Sequence, residues 1–330
     1  MRSIVQTVLG PIPVAELGRT LIHEHLYIAF PGSELEDDGF NRRAFVDDAV
    51  RRMKDLVALG VNSLVDPCPV ELGRDPELMA EISERAGINV ICTTGFYFEA
   101  LGLPIYWRYR SAEEIAEFYI REIERGIGNT GIRPGAIKAA SGKPAISEQE
   151  AKFLAAAAMA SKATGLPIIT HTEDGCCGPE QQALFVRHGA QAHQCLIGHS
   201  CGNPDPAYHR RICEGGSYIG FDRIGAPMFV KDAVRADNVK RLVEGGWAGR
   251  LLLSQDRSCL TRGKPFHPLP ERIVPKVEAL KRAGDWPAPQ TYLFTHFLPM
   301  LRERGIGQDA IDGILDENPR RFFAGEGFTN

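Results

Sequence analysis

Six side chains of metal-binding type follow or end short apolar runs that are spread along the chain. They are His23, His25, Lys138, His171, His199 and Asp256. Imidazole nitrogens and carboxylate oxygens are common protein ligands of zinc and similar cations. The set is too large for one tetrahedral site. It therefore predicts two adjacent cations, bound where these runs come together.

The first run, residues 20–26, contains two of the candidate ligands at a spacing of two. Side chains alternate between the two faces of a β-strand, so His23 and His25 are expected to point to one side and Glu24 to the other. Two imidazoles on one face of one strand can bind one cation together. A single histidine would be read as a hydrogen-bonded structural residue, but repetition at five strand ends argues against that reading.

Lys138 is chemically different from the other candidates, because a protonated ammonium group repels cations and has no lone pair to donate. Two cations nearby would lower its pKa, and the neutral amine can then take up CO2 to form a carbamate. That anion has two oxygens, one for each cation. The alternative is an ordinary lysine at a strand end that forms an ion pair.

The elements that carry these residues alternate between short apolar strands and longer helical patterns. Strands are predicted at residues 20–26, 62–66, 89–95, 135–138, 166–171, 195–199, 218–222 and 251–256, and helices at 41–59, 111–126, 147–164 and 232–244. Ser147 and Glu150 have the spacing of a capping box. Eight strands, each followed by a helix or long loop, predict an α/β fold, a (β/α)8 TIM barrel. Residues 1–330 are expected to form a single metal-dependent hydrolase domain.

Composition narrows the function classes. The chain has 330 residues, 44% of them hydrophobic, and a formal net charge of −4. There is no basic footprint, so nucleic acid is not an expected partner. No apolar run reaches the ~20 residues that span a bilayer, and no export signal is visible. A cytoplasmic location without membrane association is therefore expected. The eight cysteines are expected to be reduced thiols, and the adjacent pair Cys176–Cys177 lacks metal or redox spacing.

The chain resembles the phosphotriesterase family of the amidohydrolase superfamily, and within it the phosphotriesterase-like lactonases. The resemblance runs from residues 21–26 (LIHEHL) to residues 317–323 (ENPRRFF). Further similar motifs are residues 71–75 (ELGRD), 168–172 (IITHT) and 216–223 (GSYIGFDR). Each motif alone is weak, but their combination is specific for this family.

The resemblance implies a division of labour among the six candidates. His23, His25 and Asp256 would hold the more buried cation, and His171 with His199 the more exposed one. Carboxylated Lys138 would bridge the pair, together with a hydroxide that acts as the nucleophile. Asp256 would also take up a proton as the reaction proceeds. Zinc is the expected metal, although Co, Mn or Fe would suit the same ligands.

Two further residues favour lactones as the substrates. Tyr97 matches the lactonase tyrosine above the metal pair, and Arg223 stands where phosphotriesterases carry a histidine. The predicted activity is a lactonase with promiscuous hydrolysis of organophosphate triesters, acting on a small-molecule lactone or ester as a homodimer. The alternatives are a dedicated phosphotriesterase or carboxylic esterase on the same centre, and a barrel-fold binding protein without turnover.

The chain also departs from the lactonase pattern. Residues 200–202 (SCG) follow His199 where lactonases usually have Gly-Asp, so a carboxylate is missing unless Asp205 replaces it. Gln255 stands where a histidine often precedes the metal-binding aspartate. The long proline-rich excursion at residues 257–286 is expected to build the rim of the active site. It has no tryptophan before Trp286, whereas lactonases often place one there against the acyl chain of the substrate.

Overall fold

The computed structural model describes residues 1–36, 39–263 and 274–328. The strands in these ranges are β1 (Ile4–Thr7), β2 (Gly10–Pro13), β3 (Arg19–Leu21), β4 (His25–Ala29), β5 (Val61–Asp66), β6 (Asn89–Gly95), β7 (Ala136–Ser141), β8 (Ile168–Thr172), β9 (Cys195–Ile197), β10 (Tyr218–Phe221), β11 (Leu251–Leu253) and β12 (Ser258–Arg262).

The α-helices of the same ranges lie mostly between the strands. They are α1 (Arg42–Ala58), α2 (Pro76–Ala86), α3 (Ile105–Arg108), α4 (Ala112–Arg125), α5 (Glu148–Thr164), α6 (Gly178–Arg187), α7 (Pro206–Glu214), α8 (Asp232–Glu244), α9 (Val274–Ala283), α10 (Leu298–Glu303), α11 (Gln308–Asp312) and α12 (Asn318–Ala324). Short 3-10 turns lie at Val14–Glu16, Ser33–Leu35, Val70–Leu72, Glu99–Leu101, Glu173–Gly175, Ala192–Gln194, Ser200–Gly202 and Ala248–Arg250, and π-helical turns at Leu293–Phe297 and Gly313–Glu317.

Within the described residues, eight strands form one parallel sheet in the order β11-β10-β9-β8-β7-β6-β5-β3. The order follows the sequence except for β4, which pairs with β12 instead, and helices separate the successive strands of this sheet. A parallel sheet of this kind curls until its two edges meet, with the helices outside. The predicted (β/α)8 barrel is therefore confirmed. A single domain over the whole chain stays a prediction.

The first and last strands meet through residues that lie beyond both of their ends. The amide of Asp256 donates to the carbonyl of His23 (3.0 Å), and the amide of His25 donates to the carbonyl of Arg257 (2.7 Å). Parallel pairing of β4 with β12 continues this seam. The single strand predicted at residues 20–26 is therefore wrong: the strand is interrupted at residues 22–24, where the chain bends across the seam, and resumes as β4.

The predicted helices agree closely with α1, α4, α5 and α8. Both Ser147 and Ser111 make complete capping boxes, with Glu150 and Glu114, so α5 and α4 begin where their sequences specify. Several strand ends differ from the prediction. β9 and β11 end at Ile197 and Leu253, so His199 and Asp256 follow their strands, and β8 extends one residue past His171. Lys138 is the third residue of β7, not the last, because the small residues that follow it continue to pair with β8 as far as Ser141.

An apolar plug fills the lower half of the barrel and sets the position of the polar residues above it. Ala136 and Ile169 belong to this buried cluster, together with Leu252. Because strand side chains alternate, Lys138 and His171, two residues further along, share the inward face of their strands. The candidate ligands therefore form the layer above the plug, at the carboxyl end of the strands.

All eight cysteines lie within the described ranges, and none of them forms a disulfide there; that they are reduced in the cell stays a prediction. Six are buried, whereas Cys176 and Cys177 are partly exposed. Among the described residues, no helix is both long enough and apolar enough to cross a bilayer.

Candidate metal centre

Donor atoms of five of the six predicted ligands are linked by short contacts at the top of the barrel. His23, His199 and Asp256 each place a donor atom within 4.8 Å of the others. His25 joins them through Asp256, since its Nε2 atom lies 3.3 Å from Oδ1 of that residue. Lys138 Nζ lies 3.4 Å from Nε2 of His23. The two most distant runs of the sequence therefore meet at one point.

Carboxylates behind three of the histidines fix the orientation of their rings. Asp222 is fully buried and lies 3.2 Å from Nδ1 of His23 and 3.0 Å from Nδ1 of His199. Asp66 lies 3.3 Å from Nδ1 of His25 in the same way. The Nε2 atom of each ring is thereby directed at Asp256. Metal-binding histidines are commonly oriented by such a carboxylate on the other ring nitrogen.

The protonation of these rings differs. Burial, followed by the charge of Lys138, lowers the pKa of His23 to about 4. Burial, followed by the charge of Arg223, holds the pKa of His199 well below its ordinary value. Burial also lowers the pKa of His25, but hydrogen bonds to Asp256 and Asp66 outweigh this and raise it. His23 and His199 are thus neutral and carry the lone pair that a cation requires.

Asp256 lies in a turn with a left-handed backbone (φ 53°) that is held from behind by Glu24. The buried carboxylate of Glu24 accepts hydrogen bonds from Ser254 Oγ (2.7 Å), the amide of Gln255 (2.7 Å) and the amide of Arg257 (3.1 Å). Left-handed backbone is uncommon for residues other than glycine and persists where the surroundings specify it. As predicted, the rings of His23 and His25 both point toward one group, here the carboxylate of Asp256, and Glu24 points away from them into this turn.

Lys138 is 1% exposed, and its amine lies between His23 and the ring of Tyr97. Gly95 of β6 lies against its backbone: a Cβ atom on Gly95 would come within 2.1 Å of the Lys138 carbonyl. Burial lowers the pKa of Lys138 to about 8. The side chain is therefore the deepest amine of the site, and it has an appreciable neutral fraction near neutral pH.

His171 contacts Glu173, a carboxylate that the sequence analysis did not assign to the site. Its ring packs edge-on against His199 with centroids 4.6 Å apart. Its Nδ1 atom lies 3.1 Å from the hydroxyl of Tyr97, and its Nε2 atom 2.9 Å from Glu173 Oε2. Both ring nitrogens are thus engaged, and His171 would exchange one of these contacts on binding a cation.

Arg223 connects Asp256 to a cavity beside the centre. Its Nε atom donates to Asp256 Oδ2 (2.9 Å), and its guanidinium lies 5.2 Å from the centroid of the Phe229 ring. Burial by itself would raise the pKa of Asp256, but the charges of His199 and Arg223 and a hydrogen bond from His25 hold it well below its ordinary value. The cavity measures about 540 Å³ and its lining includes Tyr97, Phe98, Leu101, Lys143, His171, Glu173, Arg223 and Phe229.

A second group of donor atoms lies behind His25. His25, Asp66 and Cys68 also place donor atoms within 4.8 Å of each other. The Asp66 carboxylate, however, already accepts hydrogen bonds from the amides of Leu26 (2.8 Å) and Cys68 (3.0 Å). Burial raises the pKa of the Cys68 thiol, which keeps it protonated. This group therefore supports His25 and is not a separate cation site.

The structure gives roles to two residues of the segments that depart from the lactonase pattern. Asp205 does not replace the missing carboxylate: it is exposed and caps α7 by accepting a hydrogen bond from the amide of Ala207 (2.9 Å). Gln255 joins the last barrel strand to the chain ahead of α10, since its side chain hydrogen bonds to the Gln290 carbonyl and the Leu293 amide.

The excursion at residues 257–286 contains regular structure, β12 and α9, in its described part. Residues 264–273, which include Pro265, Pro268 and Pro270, lie outside the described residues. Val277 of α9 is buried against Ala226 and Met228, and Phe229 packs on the same cluster. Since Phe229 also lines the cavity, α9 supports the rim of the site, as expected.

Sequence reasoning missed Glu24, Asp222, Asp66 and Glu173 as residues of the site. Asp222 carried the clearest signal, because it directly follows the strand Tyr218–Phe221 at the same end of the barrel as the ligands. Glu24 was assigned only as the residue pointing away from the histidines. Its partners lie 230 to 233 positions further along the chain, which no local pattern could indicate.

Comparison with known proteins gives similarity over nearly the whole chain. The sequence profile of the phosphotriesterase family matches residues 3–323. An aryldialkylphosphatase of Saccharolobus solfataricus is 33% identical, over 94% of this chain and 96% of that protein. A phospho-furanose lactonase of Mycoplasmopsis synoviae is 31% identical, over 98% and 92% of the two chains. The structure of an organophosphorus hydrolase from Deinococcus radiodurans is 38% identical with a TM-score of 0.89, covering 98% of this chain and 97% of that one.

Proposed function

The chain belongs to the phosphotriesterase family of hydrolytic enzymes, and from this premise we propose that it is a binuclear metal-dependent lactonase with weak side activity on organophosphate triesters. The observation that carries the proposal is the placement of Tyr97 and Arg223. Both line the same cavity as His171, and each contacts a predicted metal ligand. The reacting group of a substrate in this cavity would therefore lie beside the ligand cluster.

The donor set fits two divalent cations. His23, His25 and Asp256 would hold one, and His199 with His171 the other; zinc is the expected ion. Imidazoles that are oriented by carboxylates behind them and grouped around the carboxylate of Asp256 are donors that such cations prefer. When bound, the cations supply an activated water as the nucleophile and polarise the oxygen of the scissile group. Asp256 lies between the two sets, since Oδ1 faces His25 and Oδ2 faces His199.

Lys138 is proposed to join the two cation positions as a carbamate. The amine nitrogen would attack the carbon of CO2, forming an N–C bond, while a proton leaves the nitrogen and one oxygen takes the negative charge. Burial and the 3.4 Å contact with His23 support this role, because they place the nitrogen next to the donor group and away from solvent. The resulting anion would offset the positive charge that two cations bring into a buried site.

Asp256 and Arg223 are proposed to handle the proton and the charge of the reaction. Oδ2 of Asp256 is the oxygen next to Arg223 and the cavity, so it is in position to accept a proton from the attacking water. The guanidinium holds that carboxylate in place and stays positive throughout. Its charge would also favour the negative charge that develops on the substrate oxygen.

Tyr97 is proposed to favour lactones over phosphotriesters. Its hydroxyl, 3.1 Å from His171, is at the cavity wall and can donate a hydrogen bond to an ester oxygen or to the leaving alkoxide. A planar lactone can approach this wall closely. A tetrahedral phosphotriester with three substituents would be crowded by Tyr97 and Arg223 together.

The deciding experiment is a panel of lactones, carboxylic esters and phosphotriesters, assayed on metal-loaded wild type and on Tyr97→Phe. We expect kcat/KM to be highest for a lactone, and the lactone-to-phosphotriester ratio to fall in the variant, by ~5-fold or more for one lost hydrogen bond. The ratio is the informative quantity, because any effect of Tyr97 through His171 acts on both substrates. Arg223→His, which opens the site, should move the ratio in the same direction.

Metal content is measured on each variant, so that loss of cations is not mistaken for loss of specificity. If wild type prefers a phosphotriester or an open-chain ester, and Tyr97→Phe leaves the ratio unchanged, the lactonase assignment is wrong. The same centre then serves a dedicated phosphotriesterase or carboxylic esterase. Absence of turnover on all three classes by protein with full metal content would indicate a binding protein instead.

A further inference from the structure

Two adjacent thiols lie at the catalytic end of the barrel, in the loop between β8 and α6. Cys176 and Cys177 are partly exposed, whereas the other six cysteines are buried. Their sulfur atoms are 3.2 Å apart. Both also lie close to a single acceptor, the carbonyl of Pro144, at 3.4 Å and 3.3 Å. The two side chains therefore point the same way and are in direct contact.

The backbone on each side of the pair is closely packed. Gly175 has a positive φ of 68°, and a Cβ atom there would lie 2.4 Å from the amide nitrogen of Asn203. A Cβ atom on Gly178 would lie 2.2 Å from the hydroxyl of Tyr208. Cys177 itself has a left-handed backbone with φ 64°. These contacts hold the loop against α7 and the preceding turn, so the two sulfurs meet without any rearrangement of the chain.

We propose that Cys176 and Cys177 form a redox modification site, at which a hydroperoxide converts the two thiols into a disulfide between adjacent residues. The sulfur of Cys176 attacks the peroxide, the O–O bond breaks, and a sulfenic acid and one water or alcohol are formed. The sulfur of Cys177 then attacks that of Cys176, the S–S bond forms, and water leaves. In total the two thiols lose two protons and two electrons, and these reduce the hydroperoxide.

The order of the two steps follows from the environment of the pair. Burial, followed by the hydrogen bond with the Cys176 thiol, raises the pKa of Cys177 to about 12. Cys177 is therefore a poor nucleophile toward a hydroperoxide, and it reacts in the second step, in which its sulfur is already held 3.2 Å from that of Cys176. Adjacent Cα atoms are ~3.8 Å apart, which is below the usual ~4.4–6.8 Å of disulfides. The bond is consequently strained and readily reduced again by a small dithiol, as expected of a reversible modification.

Oxidation would change a wall of the cavity. The disulfide has no S–H group, so the carbonyl of Pro144 loses both thiol donors. Pro144 lies between Lys143 and Ala145, which line the cavity, and Lys143 forms an ion pair with Asp174 of the loop that carries the thiols. The pair thus connects the loops after β7 and β8 on the side of the cavity opposite to the barrel seam.

The test is exposure of the full chain to hydrogen peroxide, followed by denaturation, alkylation and peptide mass spectrometry. We expect the number of alkylated cysteines to fall from eight to six. The peptide that contains both residues should be about 2 Da lighter than its unalkylated dithiol form. Dithiothreitol should restore eight. Cys176→Ser should keep all seven of its thiols, whereas Cys259→Ser, which removes a buried thiol, should fall from seven to five.

Three outcomes overturn the proposal. Eight thiols after peroxide treatment would show that the pair does not react. Sulfinic acids at Cys176 would show that the second thiol fails to resolve the first oxidation product. Disulfides between chains, seen on a non-reducing gel and lost in Cys176→Ser, would assign the reactive thiol to a different chemistry.

Discussion

Asp222 orients two of the proposed metal ligands at once, and its replacement by asparagine gives the sharpest test of the site. The buried carboxylate receives hydrogen bonds from the amide of His199 (2.7 Å), from the Nδ1 atom of the same ring (3.0 Å) and from Nδ1 of His23 (3.2 Å). Although burial by itself would raise the pKa of Asp222, the two histidine rings hold it far below its ordinary value. The group is therefore a charged acceptor at every pH where the enzyme would work.

Asp222→Asn keeps the volume but replaces one acceptor oxygen by an NH2 group. The remaining oxygen cannot serve both rings as well as a carboxylate does, and the NH2 group would face an N–H donor. Loss of a carboxylate behind a metal-binding histidine typically weakens metal binding ~10- to 100-fold. That range equals about 1.4–2.7 kcal/mol, comparable with one hydrogen bond to a charged group. Because two rings are affected, we expect the upper end, a ~100-fold weaker affinity.

The assay is competition for zinc between metal-free protein and a chromophoric chelator, with thermal unfolding of the metal-free proteins measured in parallel. Asp205→Asn is the matched control: the same chemical change at an exposed helix cap, where asparagine is an equally good capping residue. We expect its zinc affinity to equal that of wild type. A folded Asp222→Asn variant with unchanged affinity would refute the argument that this carboxylate orients the ligands.

Three further predictions concern residues of the same site. Elemental analysis of wild type should give two equivalents of metal. Lys138→Ala should bind fewer, with a short carboxylic acid partly restoring them; full metal content in the variant would disprove the bridging role. Asp256→Asn should lower kcat by ~100-fold or more with the fold intact, as judged by circular dichroism, and near-normal turnover would assign the proton to another group. Glu24→Gln turns a carboxylate with three donors into an amide, and should lower the free energy of unfolding by about 1–3 kcal/mol; an unchanged denaturant midpoint would show that the turn at Asp256 does not depend on it.

Much of the fold followed from local patterns. Strands such as β5 and β6, and helices with capping boxes such as α4 and α5, were specified by periodicity and by their first residues. The interruption of the first strand was not specified in this way, because the bend at residues 22–24 depends on hydrogen bonds with the segment that follows the last strand, across the seam. Lys138 was placed at a strand end because it ends the apolar run at residues 135–138, and small residues follow it. Only pairing with β8 reveals that they continue the strand.

The candidate ligands were predictable because they share a position relative to eight similar strands. Their supporting residues were not, since each is defined by a contact between distant segments. Asp222 contacts the rings of His23 and His199, which lie far apart in the sequence. Glu173 belongs to the site only because the ring of His171 points toward it. Sequence patterns record what a residue's own element requires. They do not record which element will lie opposite.

The seam between the first and last strands has a consequence for how the protein is made. His23 and His25 leave the ribosome early, but the partners of Glu24, which lie 230 to 233 residues after it, and the carboxylate of Asp256 are made much later. Contacts of such sequence separation form late, because a long loop must close first. A growing chain that has not yet reached β11 therefore contains five of the six ligands but no closed ring of strands and no Asp256. Tight metal uptake would accordingly mark the completion of the barrel, so that a bound cation would report on the integrity of the chain from β3 to β12.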